Sequence, residues 1–400
     1  MTTREIVENI IAFSVDDRTS KLFEGLWPIQ ADGVTYNSYL IQDEKNVLID
    51  LSSEFKSDVL MDAVSARVDL SRIDYVVVNH MEPDHSGALK ALTRLAPNVQ
   101  IICTPDATPM LDSYYSIRSH IREVADGEKI SIGKRTLSFH HTPLVHWPET
   151  MVTFDESSGT LFSCDIFGGY GALPDRLYDS DLDSLDDYLK QALRYYSNIL
   201  AKFSPQVSRM IEKLTRLAPR IIAPSHGLIW KKNPQLIVDL YRKWSDYVKG
   251  DNEPRATLIY ASMYGNTANA MKAVVRGLTS VDVPVDVFNV AETHLSYILP
   301  SLWTNHGVVI GSPTYEGNIF PGIRHILMDA GAKRIFNKKA AFFGSWSWSS
   351  GALREIKAMV EPYQWDVTDA LEFEGAAKES VLEQAEKLGA AFGRKLKTER

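Results

Sequence analysis

Apolar positions along the first half of the chain repeat with two spacings, the alternation of strands and the three-to-four step of helices. Glu5 to Val15 carries two short β-prone runs around a polar turn at Glu8 and Asn9. Tyr36 to Ile41 and Asn46 to Asp50 flank the polar stretch 42–45, a pattern that predicts a hairpin. Phe55, Val59, Leu60, Ala63 and Val64 fall at helical spacing within 52–65, and Asp74 to Asn79 returns to strand. A helix is expected over 87–95 with Asp84 or Ser86 near its N-terminus, then a strand over 99–103 and a helix over 106–115. Turns at Asp126-Gly127 and Ile132-Gly133-Lys134 divide 122–139 into short β segments. Short strands interleaved with helices imply a layered α/β domain whose sheets are mixed or antiparallel.

The second half reads differently. An amphipathic helix over 231–249, with Leu236, Val238, Leu240, Trp244 and Val248 among its apolar positions, stops at Lys249-Gly250-Asp251-Asn252-Glu253-Pro254. That stop divides the chain into a domain over 1–249, a linker over 250–254 and a second domain over 255–400. Strands over 255–260, 307–310 and 340–343 each run into loops rich in small, hydroxyl or aromatic residues. A helix follows over 268–278, and a last one over 381–396 would cover one face of the sheet with Leu382, Ala385, Leu388, Phe392 and Leu396.

Composition narrows the class. Four hundred residues exceed what one hydrophobic core usually organises, and 44% apolar with 24% charged residues describe a globular, enzyme-like chain. A formal charge of -8 argues against a nucleic-acid or anionic-membrane partner. The two cysteines, Cys103 and Cys164, form no CxxC pair, so neither a disulfide scaffold nor a chain-borne iron–sulfur or rubredoxin-like module is expected. With no basic segment followed by an apolar leader and no apolar run of membrane-spanning length, a cytoplasmic protein is expected.

Chemistry concentrates at His80-Met81-Glu82-Pro83-Asp84-His85, directly after Tyr75 to Val78. In an extended start His80, Glu82 and Asp84 share one side, and a turn near Pro83 brings His85 back toward them. His146, Asp165 and His226 offer further ligands, the last two at the ends of apolar strand-like runs that can converge on one crevice. Four imidazoles and three carboxylates suit two neighbouring metals, because carboxylates offset the cationic charge and can bridge. In the second half Ser262, Met263, Tyr264, Gly265, Asn266 and Thr267 sit at a strand-to-helix junction, where backbone N–H groups and hydroxyls can bind a phosphate. The stretch matches neither GxGxxG nor GxxxxGK[ST], so a mononucleotide is indicated.

The first half resembles the metallo-β-lactamase-like superfamily, whose usual motif is His-x-His-x-Asp-His, with Glu82 standing where the second His would be. That departure is the mark of the flavodiiron proteins, also called A-type flavoproteins. The resemblance implies an N-terminal αββα sandwich in which His80, Glu82 and His146 hold one iron, Asp84, His85 and His226 the other, and Asp165 bridges them. The second half resembles flavodoxin, a doubly wound parallel sheet that binds FMN. The resemblance gives 262–267 to the phosphate and places two loops beside the ring: Ser312, Pro313, Thr314, Tyr315, Glu316, Gly317 and Asn318, then Ser345, Trp346, Ser347, Trp348, Ser349 and Gly351. Trp348 is expected nearest the ring, with Trp346 as the alternative.

Such a protein reduces O2 to water or NO to N2O at a non-haem diiron centre fed by FMN. Four electrons, two from the ferrous pair and two from reduced FMN, match complete reduction of O2, and two suffice for a pair of NO molecules. Glu82 and Trp147 are candidates for the flavin side of the site, and Tyr195 or Tyr196 for a proton or hydrogen-bond donor to substrate. The resemblance also implies a head-to-tail homodimer, or a dimer of such dimers, in which the FMN of one subunit faces the irons of the other. Lacking its own rubredoxin module, the chain needs an external donor: rubredoxin, another flavoprotein, or reduced coenzyme F420, the last making it an F420H2 oxidase. The competing readings are a zinc-dependent hydrolase with a flavin sensor domain and a non-catalytic flavodoxin-like electron carrier.

Overall fold

The computed structural model describes residues 1–250 and 252–398. It forms two compact units, Met1–Lys243 and Trp244–Arg400. The division falls inside the helix Pro234–Asp246 and not at 250–254, because the last turn of that helix belongs with the second unit. There the Trp244 carbonyl accepts from Trp303 Nε1 at 2.9 Å, and the Tyr247 hydroxyl donates to Glu253 Oε1 at 2.8 Å. Of the expected linker, Asp251 lies outside the described residues.

Two large sheets form the body of the first unit, beside the two-stranded pair Leu22–Phe23 and Trp27–Pro28. The larger runs Thr2–Val7, Ile10–Asp17, Val34–Ile41, Asn46–Ile49, Ile73–Val77, Gln100–Cys103 and Ile121–Glu123 in spatial order, antiparallel up to Asn46–Ile49 and parallel beyond it. The smaller runs Lys129–Ser131, Thr136–His141, Met151–Asp155, Thr160–Cys164 and Ile221–Pro224, with only the last pair parallel. Apolar side chains from the facing sides of both, among them Ile10, Ile49, Val77, Phe139, Phe162 and Ala223, form one core. Helices such as Ser57–Ser65, whose Leu60, Met61 and Val64 are buried, and Ser204–Thr215 each turn one apolar stripe inward. This is the expected αββα layering, and its sheets are mixed.

The second unit holds one wholly parallel sheet in the order Val285–Asn289, Glu253–Tyr260, Asn305–Gly311, Lys339–Trp346, Asp366–Glu374. In chain order this is 2-1-3-4-5, the doubly wound arrangement whose strand order reverses beside Glu253–Tyr260 and opens a crevice at the strands' C-terminal ends. The helices Asn266–Thr279 and Glu379–Thr398 cover one face, and the second contributes Ala385, Leu388, Phe392 and Leu396 to the core. Their backbones approach closely, and only glycine permits it: a Cβ on Gly277 would stand 2.0 Å from the Glu386 carbonyl oxygen, and one on Gly389 2.2 Å from that of Val274.

At the opposite end of this sheet Lys338 is only 3% exposed. Its Nζ donates to the carbonyls of Asn305 at 2.6 Å and Trp303 at 3.3 Å, while burial pulls its pKa down to about 7. Between that value and the ordinary one near 10.5 the unfolded chain binds a proton that the folded chain does not. Stability therefore rises with pH across this window. Denaturant titrations at pH 7 and pH 10 are expected to give a smaller difference for Lys338→Met than for the unaltered chain, and equal differences would refute the assignment.

Candidate functional site

The strand Ile73–Val77 ends two residues before Asn79, and the chain then turns through His80 and Met81 into a short helix, Pro83–Ser86. Proline at the first helical position favours this turn, since its fixed φ suits a helix start and it lacks only an N–H that would be unpaired there. The expected extended run of His80, Glu82 and Asp84 is thus replaced by a strand end followed by a helical turn. The helix expected over 87–95 is found as Leu89–Leu95, and the separate short helix Pro83–Ser86 precedes it. The other ligand candidates come from three further segments. His146 lies between the strands Thr136–His141 and Met151–Asp155, and Asp165 and His226 follow the strands Thr160–Cys164 and Ile221–Pro224.

All seven candidates converge. His80, Glu82, His146 and Asp165 offer ligand atoms within 4.8 Å of one another, and so do Asp84, His85 and His226. Asp165 faces both groups with different oxygens. Its Oδ2 lies 3.6 Å from His80 Nε2 and 3.3 Å from His146 Nε2, and its Oδ1 lies 2.9 Å from His85 Nε2 and 3.4 Å from His226 Nε2. Glu82 Oε2 stands 3.3 Å from His80 Nε2 and 3.1 Å from His146 Nε2, and Asp84 stands 3.5 Å from His85 Nε2 and 3.2 Å from His226 Nε2.

Separations near 3 Å are what two bonds of about 2.1 Å subtend at a right angle around a metal. The buried His85 Nε2, His226 Nε2 and both oxygens of Asp84 and Asp165 lack properly directed hydrogen-bond partners among the described residues despite this proximity. Their lone pairs converge on common points, the arrangement a cation completes. Charge gives the same reading. Burial would lower each histidine's pKa, yet Asp165 with Glu82 pushes His146 up to about 9, and Asp165 with Asp84 pushes His226 up to about 10. Burial would raise Glu82 and Asp165, but neighbouring imidazoles hold both below the carboxylate range. The pocket favours positive charge, and hard oxygen plus imidazole donors suit iron or manganese as well as zinc.

Residues that the chain's pattern left unmarked hold this cluster in place. Asp50 Oδ1 accepts from Asn79 N–H at 2.8 Å, and its Oδ2 accepts from Asn79 Nδ2 at 2.9 Å and Ser225 Oγ at 3.2 Å, so the neighbours of His80 and His226 are tied to one carboxylate. Glu149 Oε1 lies 2.7 Å from His80 Nδ1, and the Thr35 carbonyl lies 2.7 Å from His226 Nδ1. The only trace of Asp50 in the sequence is a polar residue closing an apolar run. Non-glycine residues in the left-handed region, Asp50 at φ 49°, Leu144 at 62° and Cys164 at 53°, occur at these loops, where surrounding contacts must sustain the strain.

The two tyrosines part company. The Tyr195 ring lies 5.7 Å from the His226 ring and 5.2 Å from the Tyr170 ring, and its buried hydroxyl has no hydrogen-bond partner among the described residues. Tyr196 points elsewhere, with its hydroxyl 2.7 Å from Ser204 Oγ and its ring edge-on to Tyr241. A π-helical turn, Tyr196–Leu200, begins directly after Tyr195. Trp147 packs edge-on against His80, with ring centroids 5.0 Å apart. A cavity of about 340 Å³ reaches Glu82 and Asp84 from solvent past Phe23, Glu24, Tyr36 and Phe55, and Trp27 Nε1 donates to Glu24 Oε2 at its rim.

In the second unit a separate cavity of about 380 Å³ opens at the C-terminal ends of the parallel strands. Its walls are Ser262, Met263, Tyr264, Asn266 and Thr267, then Pro313, Thr314, Tyr315 and Glu316, then Ser345, Trp346, Ser347 and Trp348, with Gly375 added from the loop after the last strand. Of the other expected contacts, Gly265, Ser312, Gly317, Asn318, Ser349 and Gly351 do not line it. Several of these shape the walls instead. Ser312 Oγ accepts from Phe320 N–H at 3.1 Å, and a Cβ on Gly351 would stand 1.9 Å from the Gly317 carbonyl oxygen. Ser262 Oγ accepts from the N–H groups of Gly265 and Ala268, which leaves the first-turn N–H groups of Asn266 and Thr267 at the helix start for an anion. Donors at one end and aromatic walls at the other fit a phosphorylated flat ring system.

Comparison with known proteins agrees with this two-part anatomy. Residues 34–227 match the ODP family beta lactamase, and residues 258–389 match flavodoxin. The anaerobic nitric oxide reductase flavorubredoxin of Vibrio vulnificus is 37% identical over 345 residues, 84% of this chain and 68% of that one. The protein of the same description from Pectobacterium carotovorum is 35% identical over 369 residues, 90% of this chain and 72% of that one. Among solved structures, the rubredoxin oxygen:oxidoreductase of Desulfovibrio gigas has a TM-score of 0.93 at 26% identity, covering 99% of each chain. A variant of the flavo di-iron protein of Thermotoga maritima has a TM-score of 0.89 at 32% identity, covering 99% of this chain and 98% of that one.

Proposed function

The chain belongs to the flavodiiron protein family, and from that premise we propose an oxidoreductase that reduces O2 to water or NO to N2O at a non-haem diiron centre fed by FMN. The observation that carries the reading is Asp165, which turns one oxygen to His80 and His146 and the other to His85 and His226. His80, Glu82 and His146 would hold one iron, Asp84, His85 and His226 the other, with Asp165 between them. The inward Nε2 of His85 supports its inclusion. When bound, the irons and the flavin supply the four electrons that convert O2 and four protons to two waters, or the two that convert two NO and two protons to N2O and water.

The chain's own residues bring the gas in and handle protons. The cavity past Phe23, Glu24 and Phe55 gives a small molecule a route to Glu82 and Asp84. Burial and the nearby Asp165 push the Tyr195 phenol well above its ordinary pKa, so it stays protonated and can donate. Tyr195→Phe is expected to lower kcat about tenfold or more with unchanged iron content, the scale of a lost proton donor. Tyr196→Phe, which loses the hydrogen bond to Ser204, should cost about 1 kcal/mol of stability and leave kcat unaltered. Equal turnover of both variants would remove the tyrosine from the mechanism.

Ser262 to Thr267 would hold the FMN phosphate, while Tyr315, Trp346 and Trp348 border the ring. Large apolar side chains stand exposed at both cavities: Leu22 and Phe55 at the first, Met263, Tyr264, Tyr315 and Trp348 at the second. Such patches mark association surfaces and support a head-to-tail homodimer, or a dimer of dimers, in which the flavin of one copy serves the irons of another. Electrons would come from a rubredoxin, another flavoprotein or reduced coenzyme F420. Among the described residues no helix is long and apolar enough to cross a membrane, and both cysteines are buried thiols, as suits a reducing cytoplasm.

The deciding experiment is anaerobic reduction of iron- and FMN-loaded protein by each of the three donors, followed by O2 and NO consumption. Rapid gas loss with one donor and two irons per chain supports the reading. Tightly bound zinc with ester hydrolysis, or a flavin that reduces and reoxidises without any need for the metal ligands, would replace it with one of the competing readings.

A further inference from the structure

The two halves of the ligand cluster have the same composition, two imidazoles and one carboxylate each around Asp165, and differ in what stands behind His80 and behind His226. His80 Nδ1 lies 2.7 Å from Glu149 Oε1, and the same oxygen accepts from Met81 N–H at 2.9 Å. Glu149 is 2% exposed, its main-chain carbonyl accepts from Thr104 Oγ1 at 2.8 Å, and its Oε2 has no hydrogen-bond partner among the described residues. The negative charge therefore rests mainly against His80. Behind His226 stands the neutral carbonyl of Thr35. Asp50, the other buried carboxylate nearby, directs its oxygens to Asn79 and Ser225 and acts on His85 only through space, without the imidazole hydrogen bond that Glu149 makes.

An imidazole whose far N–H is held by a carboxylate is oriented more firmly and is a stronger donor than one held by a peptide carbonyl, because the anion draws the proton and enriches the opposite nitrogen. Resting on the diiron reading above, we infer that Glu149 is a positioning residue that makes the His80, Glu82 and His146 position the tighter of the two, so that it fills with iron first. The two irons would then differ in how firmly they are held despite their matched ligand sets.

The test is an anaerobic titration of the full metal-free chain with ferrous ion, the first equivalent as ⁵⁷Fe and the second as ⁵⁶Fe, then in reverse order, read by Mössbauer spectroscopy. In the unaltered chain the first equivalent is expected in one quadrupole doublet. His226→Asn, which removes a nitrogen from the other position, should keep that doublet and so identify it. Glu149→Gln preserves the size and one acceptor oxygen; it should weaken the first binding step about 10- to 100-fold and spread the isotope over both doublets. An even distribution in the unaltered chain, which needs no variant to fold, overturns the inference, and so does wild-type order in Glu149→Gln. Two irons that fill evenly would leave the diiron reading standing, whereas uptake of fewer than two would overturn both.

Discussion

Asp165→Asn is expected to leave a folded chain with its full complement of FMN, fewer than two irons and gas reduction lowered by more than about 100-fold, beyond the effect of losing an outer partner of a ligand. The size follows from the residue's position. One buried carboxylate stands against four imidazole nitrogens, between 2.9 and 3.6 Å from each. Among the described residues no other carboxylate makes ion-pair contacts with histidines of both groups. Asparagine keeps the shape, removes the charge that offsets two cations, and can turn only one oxygen toward them. The flavin cavity belongs to the other unit and is built from different loops, so flavin absorbance serves as the internal control. Iron assay, flavin absorbance and an O2 or NO electrode read the three quantities separately, and a variant retaining two irons with full turnover would dismiss Asp165 as the bridge.

What the sequence disclosed and what it hid have physical reasons. The run from His80 to His85 was legible because four ligand types crowd into six residues at a strand end. The turn read at Pro83 is where the structure places it, but it is a helical turn, Pro83–Ser86, so Asp84 sits in that helix and does not continue an extended run from His80. Tyr195 and Tyr196 could not be separated along the chain. Adjacent helical residues point about 100° apart, and only the packing around Tyr170 and His226 decides which one turns inward. Glu149 is three residues from His146, yet its partner is His80, 69 positions earlier, a pairing with no periodic signature. The flavin loops were readable because each is a strand running into small residues before a helix. Gly375 was not, since it follows the last strand and reaches the cavity only because that strand pairs with Lys339–Trp346, where Gly375 N–H donates to the Trp346 carbonyl at 2.8 Å.

Mixing two inactive variants is expected to restore turnover if electrons pass between copies of the chain. Asn266→Asp should be deficient in flavin. It is nearly isosteric and, at the first position of the helix Asn266–Thr279, suits the helix start, so the fold is retained. Its charge would nonetheless face the FMN phosphate, a repulsion of about 4 kcal/mol per unit charge at 4 Å and an effective dielectric of 20. Flavin affinity should fall by a few hundredfold or more. Asp165→Asn keeps the flavin and loses the irons. In a head-to-tail dimer an equal mixture makes about half the dimers hybrid, each with one working junction of two, so about a quarter of the wild-type rate should return. Transfer within one chain would return none, since neither partner then has both cofactors. Phe55, 96% exposed beside the cavity that leads to Glu82 and Asp84, provides the control. Adding Phe55→Asp to the flavin-deficient partner places a charge where its metal side must meet the other copy's flavin, at little cost to the monomer because the side chain is already in water. That mixture should stay inactive at dilution while each chain keeps the cofactor it had.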